Sequence, residues 1–302
     1  MTATATPLDV GQADTATVEV PPRFDMARRL LRTRRLQFGL AMLAPIALLA
    51  LFEPLLPFGD SNASNLQARF LSPSLDHLFG TDALGRDVLA RTVAGGRISL
   101  VVGVAAAFAS VSIGIVLGTV AAYFGKWVDS TISGLVNVLL AFPGLLIGLT
   151  AVAMFGAGVG QVILAVSIAF TPRAIRLQRS LVLGIKSNPY MDAARMVAAP
   201  TRWILVRHIV PNTLSPMLVV ASIYTANAIL IEATMSFMGL GIVPPTPSWG
   251  NIIKDGEPYL RESWWISLMP ALLLILVAIA LHLIADGARQ VLDPTEHDRG
   301  AK

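Results

Sequence analysis

The chain has 302 residues, of which 54% are hydrophobic and only 14% are charged, and it contains no cysteine. A soluble domain usually carries about 25% charged residues, so the deficit argues against a soluble protein and for one that exposes surface to lipid. The missing thiols exclude disulfides and cysteine-ligated metal sites, and the net charge of +4 does not indicate a nucleic-acid partner, because the basic residues cluster at the ends of apolar segments.

The N-terminal region divides into a polar tail and a first apolar segment. Residues 1–22 show no hydrophobic periodicity, which predicts a disordered cytoplasmic tail. Residues 23–57 begin with a run of arginines and continue into an apolar stretch from Leu36 to Leu56. We interpret this segment as an uncleaved first transmembrane helix, because the apolar run is too long for a signal peptide and no cleavage site follows.

Five further stretches approach the roughly 20 apolar residues that a membrane-spanning helix needs. Pro172 and Arg173 interrupt the end of the fourth span, and Pro143 and Pro216 are expected to kink or start helices. We therefore predict an all-α polytopic membrane protein with six transmembrane helices. The five further spans are predicted at residues 98–124, 131–155, 158–178, 212–238 and 264–284.

The distribution of Lys and Arg predicts the orientation of these spans. With the N-terminus in the cytoplasm, seventeen of the 23 basic residues fall inside and six fall outside, so the positive-inside rule predicts an N-in/C-in topology. This arrangement gives an external loop at 58–97, a five-helix core at 98–295 and a cytoplasmic tail at 296–302. The core includes a cytoplasmic loop at 173–211, and both loops are long enough to suggest function.

The cytoplasmic loop carries the most informative motif. Asn188-Pro189 predicts a helix start and Pro200 a break, although this composition alone fits an ordinary amphipathic interfacial helix equally well. The segment Asp192-Ala193-Ala194, followed by Ala198 and Val210-Pro211, resembles the Glu-Ala-Ala, Gly and Leu-Pro pattern of ABC importer permeases. It departs from that pattern by Asp for Glu, Ala for Gly and Val for Leu, each a change that is conservative in size.

The resemblance extends along most of the chain. HLFGTDALGRDVLARTVAGGRISL (77–100), IEATMSFMGLGIVPPTPSWG (231–250) and ADGARQVLDP (285–294) are similar, in the same order, to segments of the C-type subunit of dipeptide and oligopeptide ABC transporters. The resemblance implies an ABC importer permease fold in the bacterial inner membrane, surrounded by membrane lipid. It also implies that the cytoplasmic loop is the coupling helix that docks onto an ATPase subunit, with the candidate residues Tyr190, Asp192, Ala193, Ala194, Ala198, Pro200 and Pro211.

The same resemblance implies partners and a mechanism. The partners are a homologous B-type permease, two ATPase subunits that carry ATP and Mg, and an extracytoplasmic substrate-binding protein. The implied function is alternating access along a path for di- and oligopeptides, with haem or nickel as alternative cargo, because the family includes such importers. No catalytic residue, metal site or cofactor is expected on this chain, which has no P-loop and only four scattered histidines.

Two further sets of residues have open alternatives. Four polar residues share one face of the predicted fifth span, and they either line the substrate path or hydrogen-bond within the bundle, with Glu232 capping the backbone around 235–239. Four outer residues either contact the binding protein or belong to a solvated loop or gate. The first set is Ser222, Thr225, Glu232 and Ser236, and the second is Asp82, Arg86, Asp87 and Trp249.

Two other classes of protein fit less well. A secondary transporter driven by an ion gradient requires ionisable groups near the membrane midplane, whereas Glu232 is predicted near the outer interface without a basic partner in the spans. A membrane enzyme requires a Ser/His or paired-carboxylate arrangement, and none is visible. The Gly114/Gly118 and Gly144/Gly148 pairs predict close helix packing rather than substrate contact.

Overall fold

The computed structural model describes residues 33–56, 59–196 and 199–292. The two predicted tails and Ala198 lie outside these residues. The helices are α1 (Arg34–Leu51), α2 (Val88–Phe124), α3 (Lys126–Leu140), α4 (Gly144–Phe155), α5 (Val159–Lys186), α6 (Pro189–Met196), α7 (Thr201–Ile204), α8 (Val210–Phe237), α9 (Trp249–Gly256) and α10 (Trp265–Leu292).

Five of these elements are long and apolar enough to cross a membrane, namely α1, α2, α5, α10 and the continuous stretch Thr201–Phe237. That stretch is formed by α7 and α8, which a π-helical turn at Leu205–Ile209 connects. Helices α3 and α4 meet at an angle of 91° and count as a sixth span if they form one broken segment. Pro143 caps the start of α4, so the helix break falls where proline was predicted to cause one.

Contacts between helices define the directions of the spans. Gly39 of α1 lies against Ala280 of α10, and Gly287 lies against Leu36, so the first and last helices are antiparallel and the two described chain termini share one end of the bundle. That end also contains α6, and we call it the inner end, following the topology predicted from the basic residues. The opposite end, formed by residues 59–87 and 238–264, is called the outer end.

Two predicted boundaries differ from the structure. Helix α5 continues through Pro172 and Arg173 to Lys186, so the cytoplasmic loop predicted at 173–211 is reduced to a short connection carrying α6. Pro172 is buried inside the bundle, where neighbouring helices support a helix that lacks one hydrogen bond. Helix α2 begins at Val88 rather than near residue 98, because Arg91 and Thr92 are polar but buried, which hides the helix start from hydropathy.

The centre of the bundle is the contact between α2 and α5. A methyl group at Gly114 would clash with Ala174, and one at Gly118 would stand 2.7 Å from Gln178 Cβ, so these glycines permit a close approach of the two helices, as predicted. Gly144 and Gly148 have only ordinary van der Waals neighbours. The prediction of close packing is therefore confirmed for the first pair and wrong for the second.

Candidate coupling and translocation sites

Helix α6 is fixed to the inner end of the bundle by one buried side chain, and a lysine at the end of α5 connects that helix to α2. Met191 is fully buried in a cluster with Val182 and Ile204, which belong to α5 and α7. Lys186 Nζ donates to the backbone oxygens of Ala122 (3.1 Å) and Tyr123 (2.9 Å) near the end of α2. Met191 therefore joins α6 to α5 and α7, and Lys186, the last residue of α5, joins α5 to α2.

The outward surface around α6 is rich in exposed large side chains. Tyr190, Met196 and Trp203 expose 44%, 82% and 45% of their surface, and the Trp203 ring packs against His208 with centroids 4.5 Å apart. Exposed apolar groups at the aqueous end of a membrane protein are typical of a surface that a partner covers. Sequence reasoning missed Met196 and Trp203, although a tryptophan in a basic amphipathic segment was the available signal.

The other predicted coupling residues take different positions. Asp192 is exposed on α6 and Pro200 is exposed just before α7, whereas Pro211 lies in the first turn of α8. Ala193 and Ala194 belong to α6, as the helix prediction required. The motif therefore combines a short helix at the inner end with the start of the following span, and its role in docking stays a prediction.

The polar face predicted on the fifth span is largely a network inside the subunit. Glu232 is fully buried, and its Oε2 and Oε1 accept hydrogen bonds from Ser99 Oγ and Ser236 Oγ, both at 2.8 Å. Thr225 is also buried and donates to its own helix, while Ser222 is partly exposed. These contacts favour hydrogen bonding within the bundle over a path-lining role for Thr225, Glu232 and Ser236, and Glu232 binds hydroxyls rather than the backbone at 235–239.

The outer residues predicted to contact a binding protein instead organise the outer end. Asp82 is 3% exposed, and its carboxylate accepts from Arg86 Nε at 2.6 Å and from two backbone amides. Asp87 caps α2 through the Ala90 amide. Trp249 is fully buried, and its indole donates to Thr92 O at 2.9 Å. Direct contact through Asp82 or Trp249 is therefore not supported, because neither side chain reaches the surface of the subunit.

A concave polar surface remains available at the outer end. Arg86 and Arg91 both reach Asp255 Oδ2 at 3.4 Å, which links the loop before α2 to α9. The open cavity beside this link has a volume of about 440 Å³, and Lys254 and Tyr259 border it. This cavity is a better candidate for partner contact than the buried side chains are.

A second groove lies between α4, α5 and α8, at a site that sequence reasoning missed. It has a volume of about 370 Å³ and combines one cation, Arg173, with the polar side chains of Asn227 and Thr234 and with apolar walls. The predicted loop at 173–211 begins at Arg173, whereas the structure places this residue inside α5. Asn227 and Thr234 are seven residues apart and therefore share one face of a helix, and this spacing was the signal in the sequence that could have indicated the groove.

Comparison with known proteins identifies a matching family and relatives that cover most of this chain. Residues 114–296 match the family described as the binding-protein-dependent transport system inner membrane component. The dipeptide transport system permease protein DppC of Alkalihalophilus pseudofirmus is 34% identical over 275 residues, which cover 91% of this chain and 90% of that protein. A Brucella suis protein, named provisionally as a peptide transport system permease, is 40% identical over 268 residues, which cover 89% and 90%.

This chain therefore belongs to the family of inner-membrane components of binding-protein-dependent transport systems. The resemblance carried by the sequence motifs is confirmed, and so is the all-α polytopic fold. The protein is a multi-pass permease component in the inner membrane, and it works within a transport complex that contains other subunits.

Proposed function

We propose that this chain is one of two permease subunits of an ATP-driven importer of di- and oligopeptides. The second subunit is a homologous B-type permease, two ATPase subunits bind ATP and Mg at the inner end, and an extracytoplasmic binding protein delivers the peptide. This chain itself binds no cofactor and makes no covalent bond. The observation that carries the proposal is the similarity, over about nine tenths of the chain, to relatives whose names refer to peptide and dipeptide transport.

The inner end supports a coupling role for α6. Its surface presents exposed Tyr190, Met196 and Trp203, while Met191 anchors it in the bundle. A helix that is exposed on one side and anchored on the other is suited to transmit motion, because packed interfaces behave as rigid units. When the ATPase subunits close on ATP, α6 moves with them, and the attached ends of α2, α5 and α7 move with α6.

The outer end supports delivery of cargo from a binding protein. The link from Arg86 and Arg91 to Asp255 holds the loop before α2 against α9. The cavity beside it offers Lys254 and Tyr259 to a partner. Rocking of the spans then opens a path at the contact between the two permeases, first toward the outer end and afterwards toward the inner end.

The proposal is tested by uptake in cells that lack the gene for this chain. Restoring the chain should restore uptake of labelled di- and oligopeptides, and unlabelled peptide should compete for that uptake while haem and nickel should not. Co-purification of ATPase subunits with the chain is expected in the same cells. Restored uptake of haem or nickel, without peptide uptake, would contradict the proposed substrate class.

A further inference from the structure

Three arginines at three-residue spacing on α5 face the broken pair α3 and α4, and they differ in whether they have a polar partner within the subunit. Arg176 Nη2 donates to Asn137 Oδ1 at 2.8 Å, and Arg179 forms a two-pronged ion pair with Asp129. Arg173 has no hydrogen bond or ion pair with any residue in the part of the chain that the structure describes. Two cations of the row are therefore paired inside the subunit, and one is not.

Arg173 lies inside the membrane span predicted at residues 158–178, where a lone charge is unfavourable. It stands near the middle of α5, a helix of 28 residues, and so about 20 Å from either end at 1.5 Å per residue. A charged side chain at such a depth normally faces water, protein or a ligand rather than lipid. Because the side chain is exposed on this subunit, its partner comes from outside the subunit.

The backbone beside Arg173 gives an independent reason why this face does not meet lipid. Residues 141–143, at the 91° break between α3 and α4, are exposed on the subunit surface. A Cβ placed on Gly144 would stand 3.6 Å from Arg173 Nη1, so the break and the arginine lie at the same depth. Irregular backbone at membrane depth is tolerated only where protein covers it or where it lines a water-filled cavity.

The groove next to Arg173 offers aromatic, polar and apolar side chains in addition to the cation. Phe170 stacks on Tyr224 with ring centroids 5.0 Å apart, and the Arg173 guanidinium carbon stands 6.0 Å from the Phe170 centroid. Asn227 and Thr234 add an amide and a hydroxyl along one face of α8. Leu145 and Leu230 complete the lining with apolar surface.

We propose that Arg173 binds a carboxylate of the cargo during its passage through the membrane, and that Asn227 and Thr234 hydrogen-bond the adjoining peptide group. The inference rests on the proposed function, because every unmodified linear peptide carries a C-terminal carboxylate. A guanidinium presents parallel N–H donors that match the two oxygens of a carboxylate. The apolar lining makes no hydrogen bonds to a side chain, so it suits peptides of differing sequence.

An acidic residue of the partner permease is the competing explanation for the unpaired charge. A single acidic side chain would satisfy only the guanidinium, whereas the groove also presents the polar side chains of Asn227 and Thr234. These two additional polar groups favour a ligand that carries a peptide group as well as a carboxylate.

The test uses the complete transporter, with both permeases, its ATPase subunits and its binding protein, in proteoliposomes. Uptake is measured for peptides of identical sequence that end in a free carboxylate or in an amide, with pairs chosen for equal affinity for the binding protein. Arg173→Gln should lower uptake of the free acid about tenfold or more relative to uptake of the amide, as expected for loss of a charge-assisted hydrogen bond. Arg173→Lys should keep much of the preference.

Arg176→Gln is the matched control, because it removes the same charge from α5 about one turn away from the groove, together with a hydrogen bond to Asn137. It should change the uptake of both peptides by the same factor. An acid-to-amide ratio that Arg173→Gln leaves unchanged would overturn the inference while leaving peptide import intact. Loss of the second permease from purified Arg173→Gln complexes, with recovery in Arg173→Lys, would assign the charge to an intersubunit ion pair and also overturn it. If the native complex imports neither peptide, the proposed function fails, and the inference fails with it.

Discussion

Ser99 and Glu232 join α2 to α8 through a hydrogen bond from Ser99 Oγ to Glu232 Oε2 at 2.8 Å, and both side chains are fully buried. Ser236, one turn further along α8, donates to the other carboxylate oxygen and accepts from the Ile242 amide. One acidic side chain thus connects two spans with the segment that leads into the outer end. Its burial and its three-way connection indicate a structural role.

Replacing this carboxylate tests that role. We expect Glu232→Ala to destabilise the subunit by about 1–3 kcal/mol, because two buried hydroxyls lose their acceptor. Glu232→Gln keeps one acceptor oxygen, and its amide can donate to a hydroxyl, so it should retain stability and transport. Thermal unfolding of the purified complex and peptide uptake are the measurements. Loss of transport in Glu232→Gln with unchanged unfolding would instead show that the charge itself has a function.

The groove and the buried polar face of α8 predict different accessibility to water. The native chain has no cysteine, so single introduced cysteines report individual positions. Cysteines at Leu230 and Thr234, which border the groove, should react with a water-soluble thiol reagent at rates that change with nucleotide state. Cysteines at Thr225 and Ser236, which are buried, should react slowly in every state. The opposite pattern would favour the alternative in which the buried set lines the path.

The topology predicts which loops an impermeant reagent reaches. A cysteine at Ser64, exposed at the outer end, should be labelled in intact cells, and one at Ser187, exposed beside α6, only after permeabilisation. Ser248 is an instructive control, because it lies at the outer end but is fully buried as the cap of α9, so it should resist labelling. Labelling of Ser187 from outside would reverse the assignment of inner and outer ends.

The sequence was sufficient for the all-α polytopic fold and for the order of the apolar helices, because runs of apolar residues depend on local composition alone. The sequence did not predict that α5 and α2 extend through Arg173 and Arg91. Both helices continue through charged residues that the bundle or an external partner accommodates, and a hydropathy window does not contain that tertiary information. The buried state of Trp249 was missed for a related reason, since its pocket is formed by Gly96 and Thr92, more than 150 residues away in the chain.

At the coupling residues, a short local motif predicted the structure better than the hydropathy pattern did. Pro189 and Pro200 predicted the bounds of a short helix, and α6 occupies Pro189–Met196 between them. The exposure of Met196 was not predictable, because nothing in the local sequence determines which face of a helix meets the bundle. The orientation of α6 depends on the packing of Met191 in its cluster with residues of α5 and α7.

Enlarging a small residue in α6 tests the coupling role. Ala194→Arg introduces a long charged side chain into the segment that resembles the docking motif. Overpacking of a tight contact costs about 1–3 kcal/mol, and burying an unpaired charge costs more. The variant should insert and pair with the second permease, yet lose the ATPase subunits or the stimulation of ATP hydrolysis by the loaded binding protein. Co-purification and ATPase assays measure both effects.

Arg202→Gln is the control for that experiment, because Arg202 is exposed on α7, outside the motif, and its replacement removes charge without adding bulk. It should have much less effect on ATPase binding and on transport. Normal transport together with normal stimulated ATP hydrolysis in Ala194→Arg would show that α6 is not the coupling helix.

The central claim is that this chain carries peptides inward in a transporter powered by ATP and supplied by a binding protein. The most direct measurement is peptide uptake into proteoliposomes that contain the complete complex, with binding protein at the outer end and ATP at the inner end. We expect uptake only when both are present, and none when an ion gradient replaces ATP. Uptake driven by an ion gradient in the absence of ATP and binding protein would contradict the account and identify a secondary transporter.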